Sequence, residues 1–308
     1  MQFREHEPLG PKTTMRIGGT ARFFAELATK EDIEEAYAFG QKNTVPLIVL
    51  GSGSNTIFAD GEINALVVRI ATQKTEKESL PAICNLQFAT ITVSSGKNLP
   101  MLINELAKEG LDLSPLTGIP GTIGGAIFGN AGQGPKGIWM DHFVESVTIF
   151  DGEWKTLTKE QCKFRYRESI WKDATPSVAE DRDLPLRMVP IIWSVTLTIP
   201  HGDPAAVKAE IERLLQKRIE TQPHQRTAGS CFKAVGDTPA WQLIDAVELR
   251  GYKSGGVMIS EKHANFLIGE KGATFEDAVN VVNTVKEKIP KKLEVEMRCI
   301  QPNGSLAF

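Results

Sequence analysis

At 308 residues the chain is longer than a single hydrophobic core usually serves, so two or three packed units are expected. Hydrophobic residues at 41% and charged residues at 24% exclude a disordered, fibrous or membrane-embedded composition. A formal net charge of -3 offers no basic field to a phosphate backbone, so no nucleic acid partner is expected, and an anionic ligand would need locally placed cations.

Residues 1–7 lack the apolar core of a signal peptide, and no apolar run approaches bilayer-spanning length, so a cytoplasmic protein with no membrane partner is expected. The first helix should begin after Thr29, with Asp32 at the reciprocal capping position, Ile33, Ala36 and Tyr37 on one face, and Gly40 as its stop. Val45 to Leu50 reads as a strand running into the loop Gly51-Ser52-Gly53-Ser54-Asn55. Strands follow at Leu66 to Ile70 and Phe88 to Val93, then a helix from Leu99 to Glu109 that ends at Gly110. A second glycine cluster, 118–132, is too glycine-rich for an ordinary helix. Phe143 to Phe150 and Ile191 to Ile199 are strands, Asp151-Gly152 is a turn, and Lys172 to Arg187 is a polar stretch that could be a lid or a solvated loop.

Asp203-Pro204 opens a long amphipathic helix with Val207, Ile211, Leu214 and Leu215 facing inward and Pro223 beyond its end. Further helices run from Thr238-Pro239 to Gly251 and from Thr274 to Pro290, and Leu293 to Ile300 closes the chain as a strand. The mixture is α+β, with a boundary near Pro200 to Asp203. Residues 1–70 and 71–202 form two subdomains and 203–308 a C-terminal domain whose last strand can return to the first subdomain. Cys84, Cys162, Cys231 and Cys299 are isolated, and the five histidines show no ligand spacing, so reduced structural thiols and no metal are expected.

Backbone N–H groups of glycine and serine after a strand form a concave anion nest, which suits a pyrophosphate. The loop 51–55 lacks the third glycine of a dinucleotide fingerprint, and no Gly-Lys-Ser or Gly-Lys-Thr follows either cluster, which disfavours Rossmann and P-loop readings. Taken alone the first loop is more readily a tight turn. Eight glycines between Gly118 and Gly137 make better sense as backbone lying against a large flat ligand. An extended dinucleotide such as FAD fits both loops, non-covalently, since neither contains His or Cys to tether it.

Seven segments in order carry a resemblance: Met15-Arg16-Ile17-Gly18-Gly19-Thr20-Ala21, Leu50 to Asn55, Gly118 to Ala126, Tyr166-Arg167-Glu168-Ser169, Ala228-Gly229-Ser230-Cys231-Phe232-Lys233, Ser260 to Phe266, and Leu293 to Arg298. Over nearly its whole length the chain resembles the shorter class of the UDP-N-acetylenolpyruvoylglucosamine reductases. The resemblance implies the FAD-binding fold shared with flavin oxidases, in two α+β subdomains, with a C-terminal substrate domain. It also implies that NADPH reduces FAD and leaves, and that UDP-N-acetylglucosamine enolpyruvate is then reduced to UDP-N-acetylmuramate. By similarity Ser230 is the proton donor and Arg167 with Glu296 completes the catalytic group. Gly51, Ser52, Gly53, Ser54, Asn55, Gly118, Gly121, Thr122, Gly124, Gly125 and Ala126 would bind the cofactor. Tyr166, Lys233 and Lys262 are candidate substrate contacts, and a monomer is the expected state.

The chemistry suits these residue types. Hydride addition to an enolpyruvyl group leaves charge on the carbon beside its carboxylate, which a guanidinium can stabilise bidentately. Glu296 helps only as a proton or hydrogen-bond donor, so it is expected to be protonated in the reactive complex. A serine hydroxyl suffices as an acid toward a carbanion. Each residue also has an ordinary reading: a turn serine, a surface ion pair, a solvent-facing strand carboxylate, solvated lysines. Two rivals stand beside the reductase, namely a flavin oxidase of alcohols or sugars, and a catalytically silent FAD or nucleotide-sugar binder. Departures from the family pattern are Ala234-Val235 in place of Asn-Pro, Gly269 and Thr13 in place of asparagines, and Gln301 in place of glycine.

Overall fold

The structure, a computed structural model, describes residues 1–77, 87–134, 137–173, 188–289, 291 and 293–308. The N-terminal part contains β1 (Arg4–Pro8), β2 (Thr20–Leu27), α1 (Lys30–Asn43), β3 (Leu47–Val49), β4 (Thr56–Phe58) and β5 (Glu62–Ile70). A sheet of order β1-β2-β5-β3 has β1 antiparallel to β2, while β2 and β3 run parallel to β5. The apolar centre of β5, Ala65 to Val68, is wholly buried, as the middle of a sheet covered on both faces requires.

The Thr29 hydroxyl accepts from the Asp32 N–H at 3.2 Å, and the Asp32 carboxylate accepts from the Thr29 N–H at 3.0 Å, closing a capping box on α1. Gly40 is not the stop. The helix runs on to Asn43 and ends at Thr44, which takes a left-handed φ of 52°. Gly40 is instead buried in the core, where Met188 Cε sits 2.7 Å from the place a Cβ would occupy. Packing against a residue 148 positions away, not chain termination, explains that glycine.

The middle part contains β6 (Thr75–Lys77), β7 (Phe88–Ser94), α2 (Leu99–Ala107), α3 (Ile123–Phe128), β8 (Val144–Phe150), β9 (Trp154–Thr158), α4 (Ile170–Asp173) and β10 (Ile191–Pro200). Its antiparallel sheet has the order β6-β7-β10-β8-β9. Val195, Leu197 and Ile199 of β10 alternate with half-buried threonines, and the apolar set packs with Leu99, Leu102 and Ile103 of α2 and Ile123 and Ile127 of α3. The second glycine cluster therefore does hold a helix. Thr122 caps α3 by accepting from the Gly125 N–H at 3.3 Å, and a Cβ on Gly124 would stand 2.8 Å from Ser95 Cβ. The helix survives its glycines because they let it press onto the end of β7; it lasts six residues. Of the polar stretch Lys172 to Arg187 and of Cys84, only Lys172 and Asp173 fall within the described residues.

The last part contains α5 (Pro204–Thr221), β11 (Thr227–Ser230), α6 (Ala240–Ala246), β12 (Lys253–Ser254), β13 (Val257–Ile259), β14 (Phe266–Gly269), α7 (Phe275–Lys288) and β15 (Arg298–Ile300). Asp203 caps α5, which buries Val207 and Ile211 against the middle core. Leu215, expected inward, is 39% exposed and borders the cavity described below. The expected helix to Gly251 stops at Ala246, and the closing strand is confined to Arg298–Ile300. The sheet β11-β14-β13-β12 is antiparallel, and α7 packs across β12 and β13 with Ala278, Val281, Val282 and Val285 buried. Met15, Ile17 and Ile57 join this C-terminal core, and β15 returns to pair in parallel with β4, Arg298 opposite Thr56. The first and last parts of the chain are thus locked around one space.

Candidate active site

That space is a cavity of about 1210 Å³ bordered by residues of both glycine clusters and by Tyr166, Arg167, Ser230 and Glu296. All eleven residues expected to hold a cofactor line it: Gly51, Ser52, Gly53, Ser54, Asn55, Gly118, Gly121, Thr122, Gly124, Gly125 and Ala126. The two clusters touch: the Ser54 hydroxyl donates to the Pro120 carbonyl at 3.2 Å. Asn55 Nδ2 donates to the Glu296 carbonyl at 3.2 Å, and the Arg298 N–H to the Asn55 carbonyl at 2.9 Å, so the first loop is also tied to the closing segment. Gly118 has φ of +76°, and a Cβ there would stand 2.2 Å from Arg218 Cδ. Only glycine lets that guanidinium cross the loop and donate from Nη1 to the Gly118 carbonyl at 2.8 Å.

Beside the glycine clusters, Arg165 and Glu168 exchange backbone hydrogen bonds around Tyr166-Arg167, and Arg167 takes φ of 58°, a sparsely populated conformation for a non-glycine residue. The turn turns Arg167 toward the cavity. Its Nη2 donates to the Gly132 carbonyl at 2.7 Å, and its Nε lies 3.4 Å from Glu296 Oε1, both side chains about 15% exposed. Glu296 is held by its N–H, which donates to the Cys231 carbonyl at 2.7 Å, and Cys231 follows Ser230 at the end of β11. Burial keeps the neighbouring Cys231 thiol well above its ordinary pKa, so the nucleophile-sized group beside Ser230 stays protonated. Cys162 and Cys299 are likewise buried, their thiols pushed up to about 12.

Two expected substrate lysines do not line the cavity. The ammonium of Lys233 is held between Glu168 and Glu294; burial opposes its charge, but these hydrogen bonds outweigh burial and raise its pKa. Lys262 donates to the Ile219 carbonyl at 2.6 Å and borders a separate small surface depression with His224 and Met258. Besides Arg69, three other cations line the cavity instead. Lys172 donates to the Arg167 carbonyl at 2.9 Å, and burial lowers its pKa against the pull of Glu168. Arg218 is pushed down by burial and then by the nearby Arg167 charge. Arg298 is the third. No local motif marks Lys172 or Arg218, whose sequence neighbourhoods read as a polar stretch and an exposed helix face.

Nε of Arg167, Arg218 and Arg298 are buried without a hydrogen-bond partner among the described residues. Unpaired buried donors are costly, so this set calls for a ligand rich in acceptors and negative charge, which an FAD together with a carboxylate-bearing nucleotide substrate supplies. Two departures also gain a reason. Gly269 packs against Met15, whose Cγ and carbonyl lie 3.2 Å from the place of a Cβ, and Thr13 donates its hydroxyl to the Gly10 and Ile17 carbonyls. Ala234 does line the cavity, offering its backbone N–H to Tyr166 Oη at 3.4 Å in place of a side-chain amide.

Fold and site together define an FAD-dependent oxidoreductase. Residues 21–158 match the FAD binding domain model, and residues 222–299 match the C-terminal domain model of UDP-N-acetylenolpyruvoylglucosamine reductase. The reductase of Carboxydothermus hydrogenoformans is 33% identical over 95% of this chain and 91% of its own length, and that of Bacillus subtilis is 30% identical over 95% and 90%. The crystal structure of the Thermus caldophilus reductase superposes with a TM-score of 0.76 at 29% identity, covering 97% of this chain and 98% of that one. The chain belongs to the UDP-N-acetylenolpyruvoylglucosamine reductase family. Membership puts the reductase ahead of the alcohol oxidase and the silent binder.

Proposed function

We propose that this chain reduces UDP-N-acetylglucosamine enolpyruvate to UDP-N-acetylmuramate, a peptidoglycan precursor, with NADPH as hydride donor and FAD held non-covalently between the two glycine clusters. When bound, the flavin supplies a two-electron carrier that NADPH reduces and the substrate reoxidises. Arg167 holds the substrate carboxylate: with Nη2 fixed on Gly132 and Nε beside Glu296, Nη1 is left to meet it in a defined orientation. Negative charge that develops beside that carboxylate is met by the same guanidinium, in a site shielded from water. Ser230 delivers the proton from its hydroxyl to the carbon next to the carboxylate.

Glu296 pairs with Arg167. A carboxylate arriving on Arg167 stands beside Glu296 and shares its guanidinium. Lys172 and Arg218 supply the positive field for the diphosphate of the substrate. Every member of the constellation comes from one chain, which supports a monomer as the working unit. Both nucleotide substrates belong to the cytoplasm, and we place the reaction there. No helix of the described residues is long and apolar enough to cross a membrane.

The observation that carries this reading is that Arg167, Ser230 and Glu296, from three separated segments, border one cavity together with both glycine loops. It is tested anaerobically: the FAD-loaded protein is reduced with NADPH, UDP-N-acetylglucosamine enolpyruvate is added, and flavin absorbance is followed. Prompt reoxidation with the muramate product is expected. A flavin that reduces but then stays reduced in the presence of this substrate refutes the assignment.

A further inference from the structure

Glu296 and Arg298 both line the cavity, while Met297 and Cys299 are buried in the C-terminal core at 4% and 1% exposure. Residues 296 and 298 thus share the cavity side while 297 and 299 face the core, with a bend at Met297 leading into β15. Arg298 is fixed from both sides, by its pairing with Thr56 of β4 and by its N–H bond to Asn55 in the first glycine loop. Its guanidinium lies 4.9 Å over the ring of Phe128, at the end of α3, and Nη1 reaches the Val49 carbonyl only at 3.4 Å.

What the guanidinium lacks is an anion. It forms no ion pair with any described carboxylate; the nearest cavity acid on its own segment, Glu296, is engaged by Arg167, and Arg298 Nε is buried without a hydrogen-bond partner. Burial pushes its pKa down to about 10, so it is still a cation at neutral pH. A half-buried cation with no ion-pair partner among the described residues is suited to a ligand that completes it. The ligand part it meets is constrained by spacing. Cα atoms two residues apart stand at most about 7 Å from each other, so a group on Arg298 lies next to whatever sits at Glu296, where the substrate reacts. The pyrophosphate of a dinucleotide has no reason to be there, whereas the redox-active ring must be.

We propose that Arg298 faces the polar pyrimidine edge of the bound flavin and stabilises the negative charge which that edge acquires on two-electron reduction. This rests on the reading that FAD occupies the space between the glycine clusters. Arg298 is a poising residue: it holds reduced cofactor more tightly than oxidised cofactor, which favours transfer from NADPH into the flavin.

The test compares wild type, Arg298→Met and Arg298→Lys for FAD affinity, melting temperature without FAD, and midpoint potential of the bound flavin. In Arg298→Met the FAD-free melting temperature should hold or rise, because a half-buried charge without an ion-pair partner is gone. Reduced flavin should lose at least about tenfold more affinity than oxidised flavin, which for a two-electron couple lowers the potential by about 30 mV. Arg298→Lys should recover part of the potential. An unchanged potential in a folded Arg298→Met protein overturns the proposal, as does an equal loss of oxidised and reduced flavin, which would put the contact at the pyrophosphate. If wild type itself binds no FAD, the underlying reading fails, and the two failures are distinct.

Discussion

Replacing Arg167 by lysine removes the planar fork while keeping the charge. The native guanidinium serves two partners at once, the Gly132 carbonyl at 2.7 Å through Nη2 and Glu296 at 3.4 Å through Nε. A lysine ammonium is a single point and cannot span the Gly132 carbonyl and an incoming carboxylate in that geometry. The left-handed φ of 58° is as strained for lysine as for arginine, so the backbone contribution cancels. What is lost is one aligned donor to charge that forms in the transition state, about 3 to 4 kcal/mol, or about 10²- to 10³-fold in rate. Stopped-flow absorbance separates the half-reactions: reoxidation of reduced flavin by UDP-N-acetylglucosamine enolpyruvate should slow by that factor, with flavin reduction by NADPH much less affected. Reoxidation at the wild-type rate would refute the role given to Arg167.

Ser230→Ala should leave flavin reduction by NADPH intact and slow substrate reduction about 10²- to 10⁴-fold, measured in the same two half-reactions. Ile244→Ala, on α6 at 1% exposure, opens a hole in the C-terminal core and should cost about 2 to 5 kcal/mol in urea denaturation. His263 borders the cavity, and burial lowers its pKa below the ordinary histidine value. With the folded pKa depressed, the unfolded chain takes up the proton first, so stability should decline as pH falls below about 6.5. His263→Gln should flatten that slope in melting temperatures recorded between about pH 5 and pH 8.

Local signals in the sequence translated well into structure where the physics is itself local. Thr29 with Asp32, Asp203 with Pro204 and Thr274 with Asp277 each satisfy helix N–H groups three residues away, and the helices start where these signals stand. Gly40 failed as a stop because its reason is Met188, and Leu215 failed as a core residue because α5 shows that face to the cavity. Lys233 and Lys262 carry the charge a diphosphate would want, yet the fold commits them to Glu168, Glu294 and the Ile219 carbonyl. Charge is visible in a sequence; the partner that neutralises it is not.

By itself the sequence determined the α+β alternation, the two glycine clusters, the order of segments that carries the family resemblance, and the three candidate catalytic residues. Periodicity, capping and φ > 0 are properties of a few neighbouring residues, so they can be read without the fold. Only the tertiary structure decided that Arg167 and Glu296 lie 3.4 Å apart, that Lys172 and Arg218 join the cavity, and that Arg298 stands there with no ion-pair partner among the described residues. Those facts depend on β15 returning to β4 and on the 166–167 turn reaching Gly132, long-range approaches set by how the cores pack rather than by any residue's neighbours.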